Sequence, residues 1–131
     1  MYCETTAGIT ITVKPSYLDT QSSPENSHFV WAYHIRIENN GSRTVQLRNR
    51  LWRITDSRGR TQEVRGAGVV GEQPVLRPGD SFEYTSGTGL PTPSGIMTGS
   101  YEMEASDTGE RFDVKVPSFS LDSPHQPGKV N

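Results

Sequence analysis

The chain has 131 residues, 31% of them hydrophobic, and its 13 basic and 15 acidic side chains leave a formal net charge of −2. That length suits one domain, and so small a net charge excludes the strongly charged composition that keeps chains disordered. The single cysteine, Cys3, excludes an internal disulfide framework, and no apolar run approaches the roughly 20 residues of a membrane-spanning helix.

Ile9, Ile11 and Val13 alternate with Thr10, Thr12 and Lys14, the period-two pattern of a half-buried strand that Pro15 ends or edges. Residues 19–27 are polar and read as a loop. Phe29, Trp31, Tyr33, Ile35 and Ile37 then share one face of a long strand, with His28, His34, Arg36 and Glu38 on the other, and Asn39-Asn40-Gly41 turns the chain. Val45 and Leu47 open the next strand. Its apolar phase slips near Arg50–Trp52, so that Trp52 and Ile54 continue the inward set, which predicts a β-bulge there.

Asp56-Ser57-Arg58-Gly59 is a turn into a short strand around Gln62–Arg65. Gly66 to Pro74 reads as a long connection, and Arg77-Pro78-Gly79-Asp80 as a turn before Phe82 and Tyr84. Residues 86–99, with four glycines and two prolines, read as a second long loop. Tyr101 and Met103, then Phe112, Val114 and Val116, form the last two strands. About seven short strands between turn signals predict an all-β sandwich of the fibronectin type III or immunoglobulin type, antiparallel, spanning 1–121, with 122–131 a disordered tail.

Several strings resemble one family. Tyr17-Leu18-Asp19-Thr20-Gln21-Ser22, Trp52-Arg53-Ile54-Thr55-Asp56, Gly68-Val69-Val70-Gly71-Glu72-Gln73-Pro74, Phe82-Glu83-Tyr84-Thr85-Ser86-Gly87 and the run from Thr92 to Tyr101 are similar to ApaG, also called CorD, over roughly residues 8–121. The resemblance implies a fibronectin type III-like sandwich and no established enzymatic activity. It also implies an association with cobalt and magnesium tolerance and with diadenosine tetraphosphate metabolism, and a domain that recurs fused in eukaryotic F-box proteins. The chain departs from the family pattern in having Leu51 between Arg50 and Trp52, Ala67 between Gly66 and Gly68, and Thr88 after Gly87. Each departure removes a reactive side chain.

Gly66, Gly68 and Gly71 spell G-x-G-x-x-G, the dinucleotide-binding signature, but no helix can open on the last glycine. Two readings remain: glycines needed for positive φ or close backbone approach, or a nest of amides for phosphate. Seven of the ten arginines lie within residues 43–65, which makes Arg58, Arg60 and Arg65 candidate anion ligands beside the glycines. The bland alternative is that these arginines are solvated edge charges that prevent strand pairing.

Leu90, Ile96 and Met97 are apolar in an otherwise polar stretch, so they either cap the core or form a partner-binding surface. His28 and His34 stand too far apart on one strand to share a metal ion, and no catalytic constellation or cofactor motif is present. The expected function is therefore a cytoplasmic, non-catalytic protein-interaction module, monomeric or weakly self-associating, without cofactor, metal, nucleic acid or membrane. The alternative is a sensor of a phosphate-bearing small molecule.

Overall fold

The computed structural model describes residues 1–125. Nine strands follow one another in chain order: β1 (Tyr2–Thr6), β2 (Ile9–Tyr17), β3 (Phe29–Asn39), β4 (Val45–Asp56), β5 (Thr61–Ala67), β6 (Val75–Leu76), β7 (Ser81–Leu90), β8 (Gly95–Ala105) and β9 (Arg111–Leu121). Two 3₁₀ turns, Asp19–Gln21 and Pro24–Asn26, fill the polar loop between β2 and β3. One sheet has the order β1-β2-β3-β7 and the other β5-β4-β8-β9, with β6 continuing beside β4; every pairing is antiparallel. The expected β-sandwich is the fold observed.

Its core comes from the alternation. β3 is buried at every second residue from Phe29 to Asn39, and β2 contributes Ile9, Ile11 and Val13. Between the sheets, the Trp52 ring lies 5.5 Å from Tyr33, 6.1 Å from Tyr101 and 6.3 Å from Phe119, the spacing at which aromatic rings meet edge to face. Asn39 is buried at the β3–β4 turn with its amide fully used. It donates to the carbonyls of Arg43 and Leu76 and accepts from the Gly41 amide. A buried amide is tolerated only when satisfied in this way.

Of the two readings of Pro15, edging is the one observed: β2 runs through it to Tyr17, because β1 pairs only as far as Val13 and the missing amide meets no partner strand there. Three expectations change. The bulge in β4 lies between Leu47 and Asn49, just upstream of the expected Arg50–Trp52. Residues 86–99 are not a loop: β7 continues to Leu90, β8 starts at Gly95, and only four residues connect them. The glycines that suggested a loop sit in the ladder instead. Gly87 and Gly89 pair with Ala32 and Val30, and Gly99 pairs with Trp52.

Residues 122–125, lastly, expected in the tail, pack on the sandwich. The Trp31 indole donates to the Asp122 carbonyl (2.7 Å), Ser123 is buried and donates to the Pro93 carbonyl, and His125 packs near Tyr17 and Phe29. Residues 126–131 of the expected tail lie outside the described residues.

Candidate functional site

The glycine run closes the open side of the sandwich between β7 and β5. After β5 ends at Ala67, Val69 and Glu72 exchange both backbone hydrogen bonds at 2.8 Å, which makes Val70-Gly71 a two-residue turn. Both turn residues have positive φ, +43° at Val70 and +80° at Gly71, the combination of a type I′ turn. The turn drives Val69 into the core, where it is fully buried, and leaves Val70 half exposed at the tip.

The three glycines answer to three separate demands. A methyl group on Gly66 would stand 2.8 Å from Cζ and both terminal nitrogens of Arg50. One on Gly68, at φ +64°, would collide with the Glu72 carbonyl oxygen. Gly71 has open space around it and needs only its φ. The amides of Gly68 and Val69 are already spent on Arg48 and Glu72. A nest of successive free amides across 66–71 is therefore not formed.

The candidate arginines do not converge on this loop either. Arg58 and Arg60 flank the β4–β5 turn, where their amides donate to the Asp56 carboxylate. The length of β5 puts them roughly 25 Å from Gly68. Arg65 stands next to Gly66 in sequence but reaches Glu63 at 3.5 Å. Of the other arginines of the basic segment, two pair with the acidic half of the chain and one pairs within the segment. Arg43 meets Asp107 and Glu110, Arg48 meets Glu104, and Arg53 meets Glu63 at 2.7 Å. The charge asymmetry of the sequence is thus partly offset where Arg43 and Arg48 meet the acidic residues around the end of β8. Arg50 is the arginine at the loop. It donates to the carbonyls of Ala67 (3.2 Å) and Gly68 (2.9 Å).

Behind Arg50 lies a cavity of about 200 Å³, lined by Tyr33, Trp52, Tyr84 and Ser86 and rimmed by Val69, Val70 and Gly71. Its tyrosines belong to a buried cluster in which the Tyr84 and Tyr101 hydroxyls lie 2.6 Å apart. Burial pushes both phenols well above their ordinary ionisation, against the smaller downward pull of the Arg50 charge. Burial raises Tyr33 as well, opposed by its hydrogen bond with Ser86 and then by Arg50. All three phenols are neutral at physiological pH. The sequence placed Tyr33 and Tyr84 in strands, and a polar-tipped aromatic on an inward face was the available signal for this pocket. Ser86 was lost to it because residues 86–99 read as a loop.

Leu90 and Met97 are core residues, with only Ile96 exposed, on the outer face of β8. They form no common surface, since neighbouring strand positions point to opposite faces. His34 is hydrogen-bonded to Thr85 and Glu83, and that histidine is the first cause holding the Glu83 carboxyl below its usual range. Among the described residues no group of histidine, cysteine or carboxylate side chains is arranged to hold a metal ion, and no helix is long and apolar enough to cross a membrane.

Residues 19–105 match the ApaG domain. The chain is 67% identical to Protein ApaG of Paramagnetospirillum magneticum and 64% identical to Protein ApaG of Rhodospirillum centenum, each over 131 residues and the full length of both proteins. The crystal structure of a Bordetella pertussis protein described as ApaA superposes with a TM-score of 0.86 at 47% identity, covering 90% of this chain and 95% of that one.

Proposed function

This chain belongs to the ApaG family, and from that premise we propose that it is a non-catalytic protein-interaction module whose contact surface is the connection from Gly68 to Leu76. The observation that carries this is Val70. A β-branched side chain at φ +43° costs on the order of 1–2 kcal/mol relative to a glycine or asparagine suited to that position. Yet Val70 is 52% exposed, so its own packing does not offset the strain. Val75, at the far end of the same connection, is 53% exposed. A strained, apolar, exposed turn tip on a rigid sandwich is the kind of feature that a partner would cover.

Affinity capture from a cytoplasmic extract tests this reading. A specific protein held by the wild-type chain and lost with Val70→Asn combined with Val75→Ser supports it. Recovery of no specific partner, or equal recovery by the variant, refutes it.

A second reading keeps an anion ligand but moves it. The cavity brings Arg50, the Tyr33 and Tyr84 hydroxyls, Ser86 and the Val70-Gly71 turn to one place, enough donors for a single phosphate group. Pyrophosphate and a dinucleoside polyphosphate, the probes suggested by the family's association with diadenosine tetraphosphate, would shift amide resonances at residues 50, 70, 71 and 86. Unmoved resonances at millimolar ligand would end the idea.

A further inference from the structure

β5 is the outermost strand of its sheet, bonded to β4 on one side and to no other strand among the described residues. The phase of its ladder follows from the two ends. Asp56 donates its amide to the Arg60 carbonyl, and Gly68 donates to the Arg48 carbonyl. Hydrogen-bonded pairs alternate in an antiparallel ladder, so positions 60, 62, 64, 66 and 68 turn their polar groups toward β4. Thr61, Glu63, Arg65 and Ala67 turn theirs to the open side, and all four side chains are exposed on the sheet's outer face.

The charges of these four residues complement themselves when the order is reversed. Suppose a second copy of β5 lies antiparallel against this edge, related by a two-fold axis. Centring the axis on Glu63 sets Glu63 against Glu63 of the second copy, and centring it on Arg65 sets arginine against arginine. Centring it on Val64 sets Glu63 against Arg65 of the second copy, twice, and Thr61 against Ala67, twice. That register is also the one that engages all four outward-facing backbone positions, and it brings the two Val64 side chains together on the inner face, where each already packs at the margin of the core. Glu63 is poised for the pairing, since Arg53 already holds its carboxylate and lowers its pKa, and the 69% exposed Arg65 can swing across. The outward positions of β7, one of the two edge strands of the other sheet, carry Glu83 as their one charge and offer no such complement.

We propose that β5 is a self-recognition edge: two copies of this chain join β5 to β5 antiparallel about Val64, making one continuous sheet across the dimer. The charges that would otherwise guard an edge strand against pairing are ordered here so that they favour one antiparallel register.

Sedimentation of the full chain from micromolar to millimolar concentration at low salt tests the proposal. Wild type shows a monomer–dimer equilibrium that salt weakens. Glu63→Arg alone and Arg65→Glu alone are each monomeric, an equimolar mixture of the two forms a heterodimer, and the double exchange restores the homodimer. Glu63→Pro, which removes an outward amide and leaves the bonds to β4 in place, is monomeric. Hydrogen exchange on the unmutated chain needs no variant to fold: protection of the amides of Thr61, Glu63, Arg65 and Ala67 rises by about tenfold or more from dilute to concentrated solution, while that of β7 does not. A wild type that stays monomeric at millimolar concentration overturns the proposal, and so does a dimer that survives both single charge reversals.

Discussion

Arg50 lies over Gly66 from the neighbouring strand, its guanidinium within 2.8 Å of where a side chain on Gly66 would begin. The first glycine of the run therefore serves as the bed of an arginine, and the arginine binds the carbonyls that follow it. The run that resembles a dinucleotide signature is, in the folded chain, a device for seating Arg50 and for turning Val69 inward.

Because the three glycines meet three different demands, alanine at each has a different cost. Gly68→Ala combines positive φ with a clash against backbone and is expected to cost more than about 3 kcal/mol. Gly71→Ala meets only the φ penalty, about 1 kcal/mol. Gly66→Ala asks a flexible arginine to move and costs less than about 1 kcal/mol. Denaturant midpoints at constant slope test the order, and equal costs at the three sites would show that the glycines act as one unit.

Val70→Asn places asparagine before Gly71, the preferred pair for a type I′ turn. Stability is expected to rise by about 1 kcal/mol, seen as a melting temperature higher by roughly 3 °C. Partner capture falls at the same time. A decrease in stability would mean that the valine side chain is held more firmly than its 52% exposure indicates.

Gly99 faces Trp52 so closely that a methyl group would stand 2.5 Å from indole Cε3 and 2.6 Å from the Leu51 carbonyl oxygen. Gly99→Ala is expected to cost about 3 kcal/mol through overpacking, with a changed tryptophan emission maximum. An unaltered thermal melt would contradict this packing.

The folded-state pKa values of Tyr33, Tyr84 and Tyr101 are raised, so their contribution to stability is complete below the unfolded phenol value near about 10 and is lost as pH climbs toward the folded values. Above about pH 10 the unfolded chain releases these protons while the native chain retains them. Phenolate absorbance from the cluster should therefore appear together with loss of the near-ultraviolet dichroism, in one cooperative step. Gradual titration of all five tyrosines in a folded chain would contradict the buried cluster.

Strand identity was legible wherever apolar residues alternate, as from Phe29 to Ile37, because period-two burial is a local property. It failed at Gly87, Gly89 and Gly99. Glycine marks a turn in sequence, and only the neighbouring strand shows that it stands in a ladder, as Gly99 does to admit Trp52. The short β6 and the leading β1 were missed for the same reason: their pairing partners, not their own residues, make them strands.

By itself the sequence determined the β-sandwich class, the family and the uneven distribution of charge, since each follows from residue order alone. The tertiary structure decided which arginine meets the glycine run, that Leu90 and Met97 belong to the core, and that the basic segment faces the acidic half of the chain. It also decided that Glu63 and Arg65 lie on an open edge. Those are relations between different strands, and antiparallel register brings such residues together.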